Sequence, residues 1–118
     1  MTKNLLITTL IDGQCIPPLE FIAVKAQQGK FRQSTAIISE NSGNTTALGG
    51  VLKVNPSNVE EITKAMDLSL QMSEDEKEQR LQISYNYVKD HSTLKWASAF
   101  LRELKRSADA QTSATDDK

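Results

Sequence analysis

The chain is poor in the residues that staple or ligate. Its 118 residues include one cysteine and one histidine. A lone cysteine excludes an internal disulfide, and a single histidine leaves no cysteine–histidine zinc framework. Aromatic residues make up 5%, and no apolar run approaches the roughly 18 residues of a membrane-crossing helix. Neither sign of charge is in excess: 14 basic and 15 acidic residues leave a net charge of −1. Bulk electrostatics therefore points to neither nucleic acid nor an anionic membrane as a partner. The N-terminus shows no basic region followed by an apolar core, so the expected compartment is the cytoplasm. What remains is an ordinary globular composition, 38% apolar and 25% charged, enough for one small domain.

The few prolines and glycines punctuate the chain. Leu5–Thr9 is a short apolar run and the first expected strand. Residues 10–18 form a loop, and a helix follows from about Pro18 to Gln28, with Leu19, Ile22, Ala23 and Ala26 as its sheet-facing stripe. Proline suits a first helical position, where its missing N–H costs nothing, and Gly29 suits the stop. Thr35–Ser39 reads as a buried parallel strand. Residues 40–50 are a loop by composition, and Leu52–Val54 is a third strand that Asn55-Pro56 ends. Ser57 with Glu60, or Asn58 with Glu61, gives a capping box for a helix with Val59, Ile62, Met66 and Leu70 on one face. Ser73 with Glu76 caps the next helix, striped by Leu81, Tyr85 and Val88. Ser92 or Thr93 caps the last, which carries Leu94, Ala97, Leu101 and Leu104. From Ser107 the sequence loses apolar periodicity and is expected to be a disordered tail, 107–118.

The expected fold class is α/β, with both candidate loops at the carboxyl ends of strands, where ligands bind in open parallel sheets. The stretch Thr9–Phe21 is central. An acidic-glycine turn, Asp12-Gly13, leads into a helix N-terminus whose first turn holds Glu20. Such a strand–turn–helix can present backbone N–H groups, backed by the helix dipole, to an anion. A carboxylate at a helix start is also an ordinary stabilising feature.

This stretch resembles the donor-sugar loop of the trehalose-6-phosphate synthase family, retaining glycosyltransferases of GT-B fold. The residues that carry the resemblance are Asp12, Gly13, Leu19, Glu20 and Phe21. Further matches follow in family order: Ile37–Gly43, Val54-Asn55-Pro56-Ser57-Asn58, Met72–Lys77, and His91 with Trp96, Phe100 and Leu101. The resemblance implies a partial Rossmann-like parallel sheet of about three strands with a helical C-terminal end. It makes residues 1–106 the C-terminal part of a nucleotide-sugar-binding domain, with most of the enzyme upstream. The implied reaction moves glucose from UDP-glucose to glucose 6-phosphate with retention. Asp12 then holds glucose hydroxyls, and Gly13 lets the backbone approach sugar and diphosphate. The N–H groups of residues 13–17, including those of Gln14, Cys15 and Ile16, face the diphosphate. Glu20 accepts both ribose hydroxyls. No metal or other cofactor is implied. The implied partners are UDP-glucose or UDP, the absent N-terminal domain, and other subunits of a trehalose-synthesising complex.

The departures bear on activity. Cys15 stands where the family has asparagine, Ser57 where it has tryptophan, and Pro17 has no N–H to offer a phosphate. The family's basic phosphate clamp has no counterpart in this sequence. The isolated chain is therefore expected to be inactive, and a non-catalytic regulatory or scaffold subunit is the alternative. An unrelated α/β binding module is a third reading. Other features have plainer explanations. Cys15 is a small buried thiol with no histidine near it in sequence. His91 marks a helix boundary, and Trp96 with Phe100 reads as core or interdomain packing.

Overall fold

The structure is a computed structural model that describes residues 2–116. Three parallel strands, β1 (Asn4–Ile7), β2 (Thr35–Ser39) and β3 (Leu52–Val54), form one sheet in the order β1-β2-β3. Four α-helices accompany them: α1 (Pro17–Gln27), α2 (Val59–Gln71), α3 (Glu74–Asp90) and α4 (Thr93–Asp116). A single turn of tighter helix, Phe31–Gln33, leads into β2. The chain divides into two compact units at Val88 and Lys89. No helix among the described residues is long and apolar enough to cross a membrane.

The first unit is built on β2. All five of its residues are buried, as a parallel strand with neighbours on both sides requires. Leu6 pairs with Ile37 and Ile38 with Lys53, so register is continuous across the sheet. Ile22 of α1, Ala36 and Ile38 of β2, Leu48 and Val51 of the following loop, and Leu81 of α3 make the core. Leu5, Leu19, Phe31, Tyr85 and Val88 pack against it. Phe31 meets Tyr85 edge-on at 5.8 Å, an arrangement that suits the charge distribution of two rings.

The boundaries follow local chemistry. Gly29 ends α1 at φ 63°, a conformation that costs a side chain but not a glycine. Of the two caps open to α2, Asn58 is the one used: its Oδ1 accepts from Glu61 N–H at 3.2 Å. Glu61 does not reach back to Asn58; its carboxylate accepts from Asn55 N–H at 3.1 Å, which ties the helix start to the end of β3. Ser73 caps α3 through Glu76 N–H at 3.3 Å.

Three expectations need correction. β1 runs Asn4–Ile7, not Leu5–Thr9, because the chain leaves the sheet after Ile7 and regains pairing only at Asp12. The stripe assigned to α2 does not pack as a unit. Val59, Met66 and Leu70 are exposed, while Ser69 is buried and Ile62 and Ala65 are half-buried, so the inward face is rotated toward the smaller side chains. The third concerns the end of the chain. From Ser107, where a disordered tail was expected, α4 continues to Asp116; the last two residues, 117 and 118, lie outside the described residues. Helical hydrogen bonds need no apolar periodicity, and alanines 108, 110 and 114 favour the helix. The hydroxyls of Thr112 and Ser113 donate back to the carbonyls of Ala108 and Asp109.

The second unit, Lys89 onward, is dominated by α4. Ser92 Oγ accepts from Lys95 N–H at 3.4 Å, and Lys95 Nζ pairs with Asp90 at 2.9 Å. That ammonium holds the Asp90 carboxyl below its ordinary pKa. Trp96 and Phe100 do not enter a core. They stack on each other with centroids 5.5 Å apart and remain exposed, as do Leu94, Leu101 and Leu104.

Candidate functional site

The loops after β1 and β2 meet at the carboxyl end of the sheet. Asp12 and Ser42 form an isolated parallel bridge, and Gly43 N–H donates to the Asp12 carbonyl at 2.9 Å. The approach is close enough to demand glycine. A Cβ on Gly43 would lie 1.9 Å from the Gly13 carbonyl oxygen. One residue further, Asn44 Nδ2 donates to the Cys15 carbonyl at 2.7 Å. The second loop is itself fixed to its strand: Thr45 Oγ1 donates to the Ser39 carbonyl at 2.6 Å. Its far end abuts α3. Gly50 N–H donates to Ser84 Oγ at 3.1 Å, and a Cβ there would lie 1.7 Å from the Arg80 carbonyl oxygen.

Within the first loop, Asp12 Oδ1 accepts from Gln14 N–H at 3.2 Å, a side-chain turn that orients the carboxylate. A carboxylate has about four acceptor positions, so capacity for further hydroxyl donors remains. Cys15 is 3% exposed. Burial pushes its thiol pKa up; the nearby Ser42 hydroxyl offsets part of this, and the Asp12 carboxylate adds to it. The buried Ser42 Oγ has no hydrogen-bond partner of standard geometry. Ile16 is the N-cap of α1 and offers no side-chain cap; its carbonyl accepts from Leu19 and Glu20 N–H. Pro17 and Pro18 take the first two helical positions. Leu10, Ile11 and Ile16 flank the loop and are exposed, Ile11 to 90%.

The structure thus brings Asp12, Gly13, Gln14, Cys15 and Ile16 together on one loop braced by another. Glu20 is exposed on the first turn of α1. There it borders a cleft of about 310 Å³ with Pro17, Phe21, Val24 and Lys25 among its walls. The bracing residues Ser42, Gly43 and Asn44 were legible only as members of a loop. Glycine within the loop that follows β2 was the available signal, and it did not say which backbone would approach.

Three parallel strands with flanking helices, and two loops braced at the carboxyl end of the sheet, define an α/β unit of GT-B type. The chain belongs to glycosyltransferase family 20, whose model matches residues 1–106. It is 41% identical over 103 residues to Arabidopsis thaliana probable alpha,alpha-trehalose-phosphate synthase [UDP-forming] 4, covering 86% of this chain and 12% of that protein. It is 40% identical over 106 residues to the Arabidopsis thaliana probable synthase numbered 3, covering 89% of this chain and 13% of that one. The crystal structure of alpha,alpha-trehalose 6-phosphate synthase from Burkholderia multivorans superposes with a TM-score of 0.86 at 22% identity, covering 98% of this chain and 24% of its own. The N-terminal domain of Candida albicans trehalose-6-phosphate phosphatase superposes with a TM-score of 0.78 at 27% identity, covering 87% and 21%. The chain therefore spans about an eighth of the curated relatives and about a quarter of these solved structures.

Proposed function

We propose that this chain forms the donor-nucleotide wall of a trehalose-phosphate synthase-like glycosyltransferase that moves glucose from UDP-glucose to glucose 6-phosphate. On this reading it works only with the opposite wall of the cleft, in the cytoplasm. The observation that carries it is the brace between Asp12-Gly13 and Ser42-Gly43 at the carboxyl ends of β1 and β2. A loop held before ligand arrives loses little entropy on binding. Asp12, oriented by Gln14 N–H, takes glucose hydroxyls, Gly13 admits the diphosphate, and Glu20 takes the ribose diol. Oriented N–H groups at the start of α1 stabilise the departing diphosphate.

A non-catalytic regulatory subunit is the second reading. It is favoured by Pro17 and Pro18, which remove two N–H groups from the helix start, and by Cys15, buried where the family has an amide side chain. The likeness to a domain from a phosphatase fits it too, because the fold is then not tied to one chemistry.

Calorimetric titration with UDP decides, using the chain completed with a family N-terminal half. Glu20→Ala should weaken binding by roughly 1–3 kcal/mol, because two hydroxyls lose their shared acceptor. Pro17→Val should tighten it by restoring an N–H. If neither substitution alters affinity and the completed protein binds no nucleotide, the regulatory reading replaces the first. Trehalose phosphate made by residues 1–118 alone would overturn the requirement for a second wall.

A further inference from the structure

The side chain of Cys15 is buried where the two braced loops meet. Its surroundings are fixed from both sides. In the first loop, Asp12 Oδ1 accepts from Gln14 N–H, and Asp12 bridges to Ser42 in the second. From that second loop, Asn44 Nδ2 holds the Cys15 carbonyl. The sulfur is thereby confined to the seam between Asp12 and Ser42.

Both neighbours act on the thiol. Burial is the main force that keeps it protonated. The Ser42 hydroxyl opposes this, and the Asp12 carboxylate reinforces it through its charge and a side-chain hydrogen bond. These signs give each proton a direction. A donor favours the thiolate and an acceptor favours the thiol. Ser42 therefore turns its O–H to the sulfur, and the S–H turns to the Asp12 carboxylate. Ser42 suits this part, because it is buried and its Oγ makes no standard hydrogen bond elsewhere. A buried hydroxyl with nothing to bond is costly, and the sulfur, a weak donor and weak acceptor, is the group left to it.

The consequence falls on Asp12. Its one fixed side-chain bond, from Gln14 N–H at 3.2 Å, leaves the carboxylate free to swing about that bond. A second donor at the seam removes this freedom and leaves the remaining acceptor positions for a ligand. We propose that Cys15 is a positioning residue for Asp12: its S–H, backed by the Ser42 hydroxyl, fixes the carboxylate that takes the sugar hydroxyls of the donor. The sugar contact rests on the transferase reading, whereas the thiol–carboxylate pair does not.

The chain has one cysteine, so its infrared S–H stretching band belongs to Cys15 without labelling. In the full chain, Asp12→Asn should move that band to higher frequency, because the charged acceptor is gone. Cys15→Ser keeps a donor at the position, and Cys15→Val only fills the space. The Gln14 amide resonance, which reports the Asp12 carboxylate, should stay near its wild-type position in the first and move in the second. An unmoved S–H band in Asp12→Asn, or Cys15→Val matching Cys15→Ser, would overturn the proposal and leave the thiol as packing. In the chain completed with a family N-terminal half, Cys15→Val should weaken UDP-glucose binding about fivefold, the net worth of one hydrogen bond, and leave UDP binding unchanged. Equal losses for the two ligands would also overturn the positioning role. If the completed protein binds neither ligand while the infrared shift is present, the transferase reading fails and the thiol–carboxylate pair stands.

Discussion

The side-chain amide of Asn44 donates a 2.7 Å hydrogen bond to the backbone carbonyl of Cys15, joining positions 29 apart in sequence. It ties the second loop to the first and acts on the backbone just ahead of α1. Asn44→Ala should cost about 1 kcal/mol in urea unfolding, the net worth of such a bond. Its specific sign is faster amide hydrogen exchange at residues 13–16 with β2 unchanged. Uniform acceleration throughout the first unit would mean that Asn44 merely supports the fold.

The glycines divide into permissive and obligatory positions. Gly43→Ala and Gly50→Ala place a methyl carbon within 1.9 Å and 1.7 Å of backbone carbonyl oxygens, so each should lose roughly 1–3 kcal/mol or more. Gly13→Ala meets nothing within 4 Å and should be tolerated in the free chain. Denaturant midpoints for the three variants read this directly, and a Gly13→Ala loss as large as the other two would refute the distinction.

The thiol of Cys15 should be slow to alkylate in the native chain, since the buried group resists becoming the reactive thiolate. The same shift makes stability depend on pH. The folded pKa is raised, so above the ordinary cysteine value of about 8.5 the unfolded chain loses its proton first. Stability should therefore fall as pH rises from there toward the folded pKa, and Cys15→Ser should remove that part of the slope. Native alkylation at the rate of a urea-unfolded control would contradict the burial.

Truncation after Arg106 tests the end of α4. The described side chains from Ser107 to Ala114 are all exposed, so their removal should subtract helical circular dichroism while the thermal midpoint moves by less than about 2 °C. A larger drop would show that the last turns carry stabilising contacts.

The sequence specified the strands where both faces are buried. Thr35–Ser39, buried along its whole length, appears at its expected bounds, because a short apolar run between turn residues has few other uses, and Leu52–Val54, with Lys53 exposed, does so because Asn55-Pro56 ends it. β1 is less sharply bounded, since an edge strand with Leu6 44% exposed is only weakly patterned. The exposed positions of α2 and α4 were not legible, because periodicity places residues on one face without saying whether anything covers it. For the loops, sequence placed Asp12-Gly13 and residues 40–50 after strands, where they are found, but not the Gly43–Gly13 contact. That contact depends on how far two loops extend from neighbouring strands, a tertiary quantity that local propensity does not encode.

Gly43 and Gly50 sit at the two ends of one loop, each pressed against another backbone. Between these pinned ends the intervening residues behave as a cassette. Length changes outside it would pull either the first loop or α3 out of contact, whereas exchanges within it leave both anchors in place. Natural or engineered diversity at this rim should therefore gather in residues 46 and 47, away from Thr45 and Leu48, whose burial ties the cassette to the sheet, and from Gly49, where a Cβ would meet Ile83 at 3.3 Å.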